Sequence, residues 1–190
     1  MSPAARPPRA DAARNRQKIL EAARGQIAAY GPDAGMDEIA AAAGVAVGTL
    51  YRHFPNKTEL VTAVVAQSVG ALADETEAAL ARIKAGARAV DELSAFLHRV
   101  VEAAVTDKAV KAAARALGAD VSGMGAEERG IAALNAIISA GQAEGDLNPD
   151  VTVEDMYLIF ASAPTDQPPH ARARWLSLIL SGLTATRTAG

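Results

Sequence analysis

The sequence contains no cysteine, and this absence excludes several classes of protein. Disulfide-stapled folds, thiolate catalysis, zinc fingers and iron–sulfur clusters all need that residue. Aromatic residues are also scarce, at 4% of 190 residues with a single tryptophan. Apolar runs are interrupted by charge well before the roughly 18 residues that a membrane-spanning helix needs. We therefore expect a cytoplasmic protein that carries neither a cofactor nor a metal.

The residues that are abundant favour helices. Half of the chain is hydrophobic, which is enough for a core, and alanine supplies about a quarter of all residues. Because alanine is the best helix former and a poor strand former, and no segment shows strand-like alternation, the composition predicts an all-α fold. Charge is unevenly distributed around a net value of −3. Residues 1–60 carry 8 basic against 6 acidic side chains, which indicates a polyanionic partner for that part only.

Helical periodicity and breaking residues predict about nine helices. Asp11 is a suitable N-cap for the first helix, and Gly31 ends it. Gly44 can supply the left-handed end of the second helix, and Pro55 stops the third. The predicted ranges are 11–30, 36–43, 47–54, 57–85, 91–106, 108–117, 126–144, 152–163 and 169–187.

The helices group into two predicted domains preceded by an arm. Residues 1–10 contain three prolines with Arg6 and Arg9, and this composition predicts a disordered basic arm. Residues 11–56 form a three-helix domain. Residues 57–190 form a larger helical domain, which begins with a long fourth helix.

The second and third predicted helices have the spacing of a helix-turn-helix. In that motif the second helix enters the DNA major groove, and the first lies across the backbone. Leu50 and Phe54 are four residues apart, so both face the core. The other side chains of the third helix then face solvent or DNA. Lys57 adds a cation at the start of the fourth helix, where backbone amides already favour phosphate.

The segment from Ile39 to Lys57 resembles the DNA-binding signature of the TetR family of bacterial transcription regulators. The resemblance rests on Ala43-Gly44-Val45 and on the run Gly48-Thr49-Leu50-Tyr51-Arg52-His53-Phe54-Pro55-Asn56-Lys57. It extends back to helix one and covers roughly residues 11–60. It implies a homodimer that places two recognition helices on a palindromic operator. It also implies a C-terminal domain with a small-molecule pocket, whose occupancy changes the affinity for DNA.

Matching positions of the motif identify the expected DNA contacts. These are Val47, Gly48, Thr49, Tyr51, His53 and Lys57. The chain departs from the family pattern at two helix starts, because Gly35 and Ala46 stand where many members carry a hydroxyl residue. Both positions therefore lack the hydroxyl that would cap the helix and bind phosphate, which leaves more of that contact to backbone amides.

Other residues are candidates for the effector pocket and the dimer interface. Methionine and aromatic side chains adapt to apolar ligands, although ordinary core packing is the alternative for each. The pocket candidates are His98, Met124, Tyr157 and Phe160. The dimer candidates, expected on the last two helices, are Met156, Trp175, Leu178, Ile179 and Gly182.

The function predicted from these features is a ligand-responsive repressor that binds operator DNA. Two alternatives stay open: a helical enzyme that binds a small molecule, and an architectural protein that binds DNA without sequence preference. Against an enzyme, none of the three histidines has a glutamate three residues before it, as helical di-iron proteins require. The Gly123-Met124-Gly125 segment follows a helix, and Glu128 stands where a phosphate-binding fingerprint needs glycine. We therefore expect a protein that is not an enzyme.

Overall fold

The computed structural model describes residues 8–119 and 125–185, which fold as eight α-helices. The helices are α1 Pro8–Tyr30, α2 Met36–Ala43, α3 Val47–His53, α4 Lys57–Lys84, α5 Ala89–Ala116, α6 Ala126–Ala143, α7 Val153–Ser162 and α8 Pro169–Leu183. A short 3-10 turn, Gly31–Asp33, follows α1. Among these residues the only pairing of extended backbone is an isolated bridge between Leu147 and Thr184. The prediction of an all-α fold is confirmed.

One helix, α5, replaces two of the predicted helices. The sequence predicts a break at Asp107, but α5 continues through this residue from Ala89 to Ala116. The segment contains neither glycine nor proline, so nothing in its backbone forces an interruption. The Asp107 carboxylate accepts a hydrogen bond from Arg24 of α1, at 2.8 Å, and therefore does not cap a new helix.

The first helix begins earlier than the sequence predicts. It starts at Pro8, and Asp11 lies inside it, where its carboxylate pairs with Arg14 one turn later. Proline is compatible with the first turn of a helix, because no intrahelical partner is needed for its missing N–H. Residues 1–7, which include Arg6 of the predicted arm, lie outside the described residues.

The chain divides into two compact units. We call residues 8–67 and 106–119 the head, and residues 68–105 and 125–185 the body. The division crosses α4 after Gln67 and α5 after Val105, so each unit contains part of both helices. The domains predicted from sequence, 11–56 and 57–190, meet instead at the start of α4.

Small and branched apolar side chains fill the core of the head. Ile19, Ala23 and Ile27 lie on one face of α1 and are fully buried, as their spacing predicts. The other buried apolar residues of the head include Ile39, Ala40, Leu50, Phe54, Leu60, Val61, Val64, Val110, Ala113 and Ala114. Gly44 ends α2 with a φ of 65°, the left-handed conformation that glycine adopts without steric cost. This turn sets the direction in which α3 leaves α2.

The body has its own apolar core, built from parts of α4 and α5 with α6, α7 and α8. Its largest fully buried side chains are Leu93, Phe96, Leu97, Ile137, Met156 and Leu176. Arg172 of α8 is also buried and donates two hydrogen bonds to the Glu102 carboxylate of α5, at 2.6 and 3.1 Å. The guanidinium holds the pKa of Glu102 below its usual range, because it stabilises the charged carboxylate.

Two further properties concern every residue that the structure describes. None of the helices in this part of the chain is long and apolar enough to cross a bilayer. The described residues also contain no group of three or more histidine, aspartate or glutamate side chains that could hold a metal ion.

Candidate nucleic-acid interface

The third helix is anchored to the head by one side. Leu50 and Phe54, the residue that follows α3, are both buried in the head core. The Phe54 N–H donates to the Leu50 carbonyl at 2.8 Å, which closes the end of the helix. Because both anchors point inward, the opposite side of α3 must face away from the core.

The outward face of α3 carries most of the predicted DNA contacts. Val47, Gly48 and Tyr51 are exposed, and Tyr51 lies one turn after Val47 on the same side. Thr49 and His53 are half-buried at the edges of this face. The structure therefore brings five of the six predicted residues onto one short helix.

Arg52 also belongs to this face, although it is missing from the predicted contacts. Its side chain is exposed, and its guanidinium donates a hydrogen bond to the Thr49 hydroxyl at 3.3 Å. The signal in the sequence is its position four residues after Gly48, which places both residues on one side of the helix. A guanidinium here can reach phosphate or the acceptors of a guanine edge.

Arg16 of α1 lies against the end of α3. Its guanidinium carbon lies 5.2 Å from the centroid of the Phe54 ring, a cation–π arrangement. The centroid of the His53 ring lies 6.4 Å from that of the same Phe54 ring. A cation from α1 thus stands beside the last residues of the candidate recognition helix.

The starts of α2 and α3 lack side-chain caps, as the sequence predicts. Gly35 and Ala46 precede these helices, and neither offers a hydroxyl to the first amides. The Glu38 carboxylate folds back into the space that a Cβ on Gly35 would occupy. Asn56, by contrast, caps α4 by accepting a hydrogen bond from the Glu59 N–H at 2.9 Å.

Lys57 is tied to another part of the head. Its ammonium group donates to the Pro32 carbonyl in the turn between α1 and α2. The side chain is half-buried, so the remaining ammonium protons can still reach a ligand. Lys57 therefore connects the start of α4 to the turn that precedes α2.

The three pocket candidates that the structure describes differ in their surroundings. His98 is exposed, and its Nδ1 atom pairs with the Ser94 carbonyl at 2.8 Å. Phe160 is half-buried against Phe96, with ring centroids 6.3 Å apart in an edge-to-face arrangement. Partial burial and the nearby Glu127 and Glu154 raise the pKa of Tyr157. Met124 lies outside the described residues.

The dimer candidates occupy different depths in the body. Met156 is fully buried in the core, and Trp175 and Ile179 are partly buried against it. Leu178 and Gly182 of α8 are exposed. Leu158 of α7, which is missing from the predicted set, is the more exposed leucine, at 68% against 56% for Leu178. Its position two residues after the buried Met156 is the signal that would have identified it as outward-facing.

Two family models match this chain. Residues 19–64 match the family described as bacterial regulatory proteins, tetR family. Residues 88–185, slightly more than half of the chain, match the C-terminal domain of SbtR-like transcriptional regulators. The first match contains all of α2 and α3, and the second contains α5 to α8.

Individual relatives give the same result. The uncharacterized HTH-type transcriptional regulator TtgW of Pseudomonas putida is 46% identical over 63 residues, which is 33% of this chain and 47% of that protein. The chain thus spans about half the length of this curated relative. A TetR regulatory protein from Mycobacterium vanbaalenii has a crystal structure with a TM-score of 0.78 and 35% identity, over 94% of this chain and all of that one. The crystal structure of a TetR regulator from Streptomyces coelicolor has a TM-score of 0.74 and 33% identity, over 90% of this chain and 99% of that one.

Proposed function

The chain belongs to the TetR family of bacterial transcription regulators, and on this premise we propose that it is a ligand-responsive repressor that binds a palindromic operator as a homodimer. It acts in the cytoplasm, where it meets double-stranded DNA. A small molecule bound to the body releases it from the operator. Catalysis has no part in this function.

The observation that carries the proposal is the outward face of α3. Leu50 and Phe54 hold the helix against the core, which leaves Val47, Gly48 and Tyr51 free on one side. The major groove of B-DNA, about 12 Å wide, admits an α-helix and displays a distinct pattern for each base pair. Gly48 lets the backbone approach the bases, and the Tyr51 hydroxyl and ring supply hydrogen bonding and packing.

Contacts to the DNA backbone come from around this face. Two cations are available. Lys57 lies beside the turn between α1 and α2, and Arg16 lies beside Phe54. Such contacts orient the helix in the groove without reading sequence, whereas the face of α3 reads the bases.

Two copies of the head are needed for selective binding. One short helix contacts only a few base pairs, so a dimer reads two half-sites with centres about 34 to 36 Å apart, one turn of DNA. The exposed leucines of α7 and α8 provide the apolar surface for this dimer.

The effector acts by changing the spacing of the two heads. We assign its pocket to the body, and His98, Met124, Tyr157 and Phe160 remain the proposed lining. A ligand that favours an incorrectly spaced state by about 2.7 kcal/mol lowers operator affinity roughly a hundredfold. The chain offers two covalent routes for this change, because both α4 and α5 run from one unit into the other.

A matched pair of tyrosines tests the assignment of α3. Tyr51 and Tyr30 are both exposed, at 43% and 65%, but Tyr51 lies on α3 and Tyr30 is the last residue of α1. We expect Tyr51→Ala to weaken binding to the operator, selected by the wild-type protein from random-sequence DNA, by about thirtyfold. Each of the two heads then loses about 1 kcal/mol of hydrogen bonding and packing. Tyr30→Ala should bind that operator with wild-type affinity, and both variants should keep the circular dichroism of the parent.

The same measurement separates the alternatives. A repressor selects a palindromic sequence and holds it in excess competitor DNA, whereas an architectural protein yields no preferred sequence. Equal operator affinity of the wild type and Tyr51→Ala would show that α3 is not the reading element.

A further inference from the structure

Arg52 lies on the side of α3 opposite the residues that anchor the helix. An α-helix turns by about 100° per residue, so the Arg52 side chain leaves α3 about 160° away from Leu50, two residues earlier. Leu50 is fully buried, and Phe54, two residues after Arg52, is buried in the head as well. Arg52 is exposed, and so is Gly48, one turn before it. The side of α3 that extends furthest from the core therefore consists of the Arg52 side chain and the bare backbone of Gly48.

The Arg52 guanidinium is held over the first turn of α3. Side chains on a helix lean toward its N-terminus, and this guanidinium donates a hydrogen bond to the Thr49 hydroxyl, three residues earlier, at 3.3 Å. The space beside Gly48 is open, since a Cβ added there meets no atom within 4 Å. In helix-turn-helix proteins the N-terminal residues of the recognition helix contact the base edges. The guanidinium thus lies at the end of α3 where bases are read.

The charge of Arg52 is not neutralised by a neighbouring carboxylate. Within residues 8–119 and 125–185, no aspartate or glutamate pairs with this guanidinium. Arg82, Arg99 and Arg129 of the body differ in this respect, because each of them pairs with a carboxylate. The contact with Thr49 uses one N–H of Arg52, so the other donors remain available to a ligand that supplies acceptors.

A guanine edge supplies acceptors in the matching arrangement. In the major groove guanine presents its N7 and O6 atoms side by side, and a guanidinium binds both through parallel hydrogen bonds. Adenine has an amino donor next to its N7, cytosine presents a donor, and thymine presents one acceptor beside a methyl group. Guanine is therefore the base that can accept a pair of hydrogen bonds from Arg52.

We infer that Arg52 reads a guanine in each half-site of the operator, so that one G·C base pair per half-site is required for tight binding. The inference rests on the proposed function, because it assigns a base to a helix that must enter the major groove. A base is favoured over a phosphate because the side of an inserted helix opposite its anchors faces the floor of the groove, where the base edges lie. Thr49 is a positioning residue in this contact, since its hydroxyl restricts the guanidinium before DNA binds.

The test measures base preference, which the loss of a charge does not by itself alter. The wild-type protein first selects its operator from random-sequence DNA. Each base pair of the half-site is then replaced in turn by the other three, symmetrically in both half-sites. We expect the wild type to bind about a hundredfold more weakly when one particular G·C pair is changed, about tenfold for each half-site. Arg52→Ala should bind the duplexes that differ at this pair with roughly equal affinity, and should keep the wild-type preferences at the other positions.

Arg115→Ala is the control, because it removes the same charge from an exposed position of the head, on α5. It should retain the guanine preference, and both variants should keep the circular dichroism of the parent. An operator without such a G·C pair would overturn the guanine contact. So would an Arg52→Ala variant that binds every duplex more weakly by one common factor, because Arg52 would then bind a phosphate. A wild type that selects no sequence would instead overturn the proposed function, and the inference with it.

Discussion

At the scale of single residues, two apolar side chains decide what α3 presents to its surroundings. The four-residue spacing of Leu50 and Phe54 is sufficient to predict that both are buried, and both are. The partners of the surrounding cations were not predictable in the same way. Arg16 is 38 positions before Phe54 in the sequence, and Lys57 is 25 after Pro32. Such contacts depend on how separate helices pack, which local periodicity does not encode.

Lys57 and Lys84, at the two ends of α4, provide a matched test of a phosphate contact. We expect Lys57→Gln to lower the slope of log affinity against log salt concentration by about two units per dimer, one for each phosphate contact that is lost. The ammonium group that binds the Pro32 carbonyl retains donors for that phosphate. The slope is measured by titrating operator DNA at several salt concentrations.

Lys84→Gln removes the same charge from the last turn of α4, in the body, and should leave the slope unchanged. If Lys57→Gln weakens binding with an unaltered slope, the ammonium group serves the turn at Pro32 and not the DNA.

At the scale of secondary-structure elements, glycine has opposite roles four residues apart. Gly44 ends α2 in a left-handed conformation, with a φ of 65°. Gly48 lies within α3, and a Cβ added there meets no atom within 4 Å. The first glycine is required by backbone geometry. The second lies inside a helix, where glycine lowers stability because its helix propensity is poor.

We expect the two alanine variants to change stability in opposite directions. Gly44→Ala should lower the free energy of unfolding by about 1 to 2 kcal/mol, because alanine is strained at positive φ. Gly48→Ala should raise it by about 1 kcal/mol through helix propensity, and yet weaken binding to the selected operator, because its methyl group separates the backbone from the groove. Urea unfolding gives the first quantity and DNA titration the second. A more stable Gly48→Ala that binds as tightly as the wild type would place Gly48 away from the bases.

The helix boundaries that could be predicted are those set by the backbone requirements of a single residue. The end of α2 at Gly44 and the stop at Pro55 follow from the backbone requirements of those residues, and both were predictable. The break expected at Asp107 was wrong, although the segment contains neither glycine nor proline to interrupt a helix. Asp107 is an ordinary position within α5, and its side chain pairs with Arg24 of α1.

At the scale of the whole molecule, the exposed leucines of the body are the surface to which we assign the proposed contact with a second copy. Leu158 and Leu178 are among the most exposed large hydrophobic side chains of the described residues, whereas the predicted Met156 is in the core. Buried candidates such as Met156 could be identified as apolar from sequence. Whether they face the core or a partner depends on the packing of α7 and α8.

We expect Leu158→Asp combined with Leu178→Asp to yield monomers in analytical ultracentrifugation. Charged side chains cannot be buried in an apolar interface without a large desolvation cost, but they are readily solvated on a monomer. The monomer should keep its helix content and bind a half-site, while losing the tighter binding to the full operator. A matched control is Leu72→Asp on α4, which is also exposed and should leave the dimer intact. A double variant that remains dimeric would show that the subunits meet elsewhere.

The division of α5 between the two units has a consequence for modular engineering. A head cut from the chain after Gln67 would lack residues 106–119, and with them Val110, Ala113, Ala114 and the partner of Arg24. Such a fragment leaves apolar surface uncovered and a guanidinium without its carboxylate. Chimeric regulators that combine this DNA specificity with another sensor must therefore transplant two separate stretches of sequence together. The head is thus formed by two segments that are separated in the sequence.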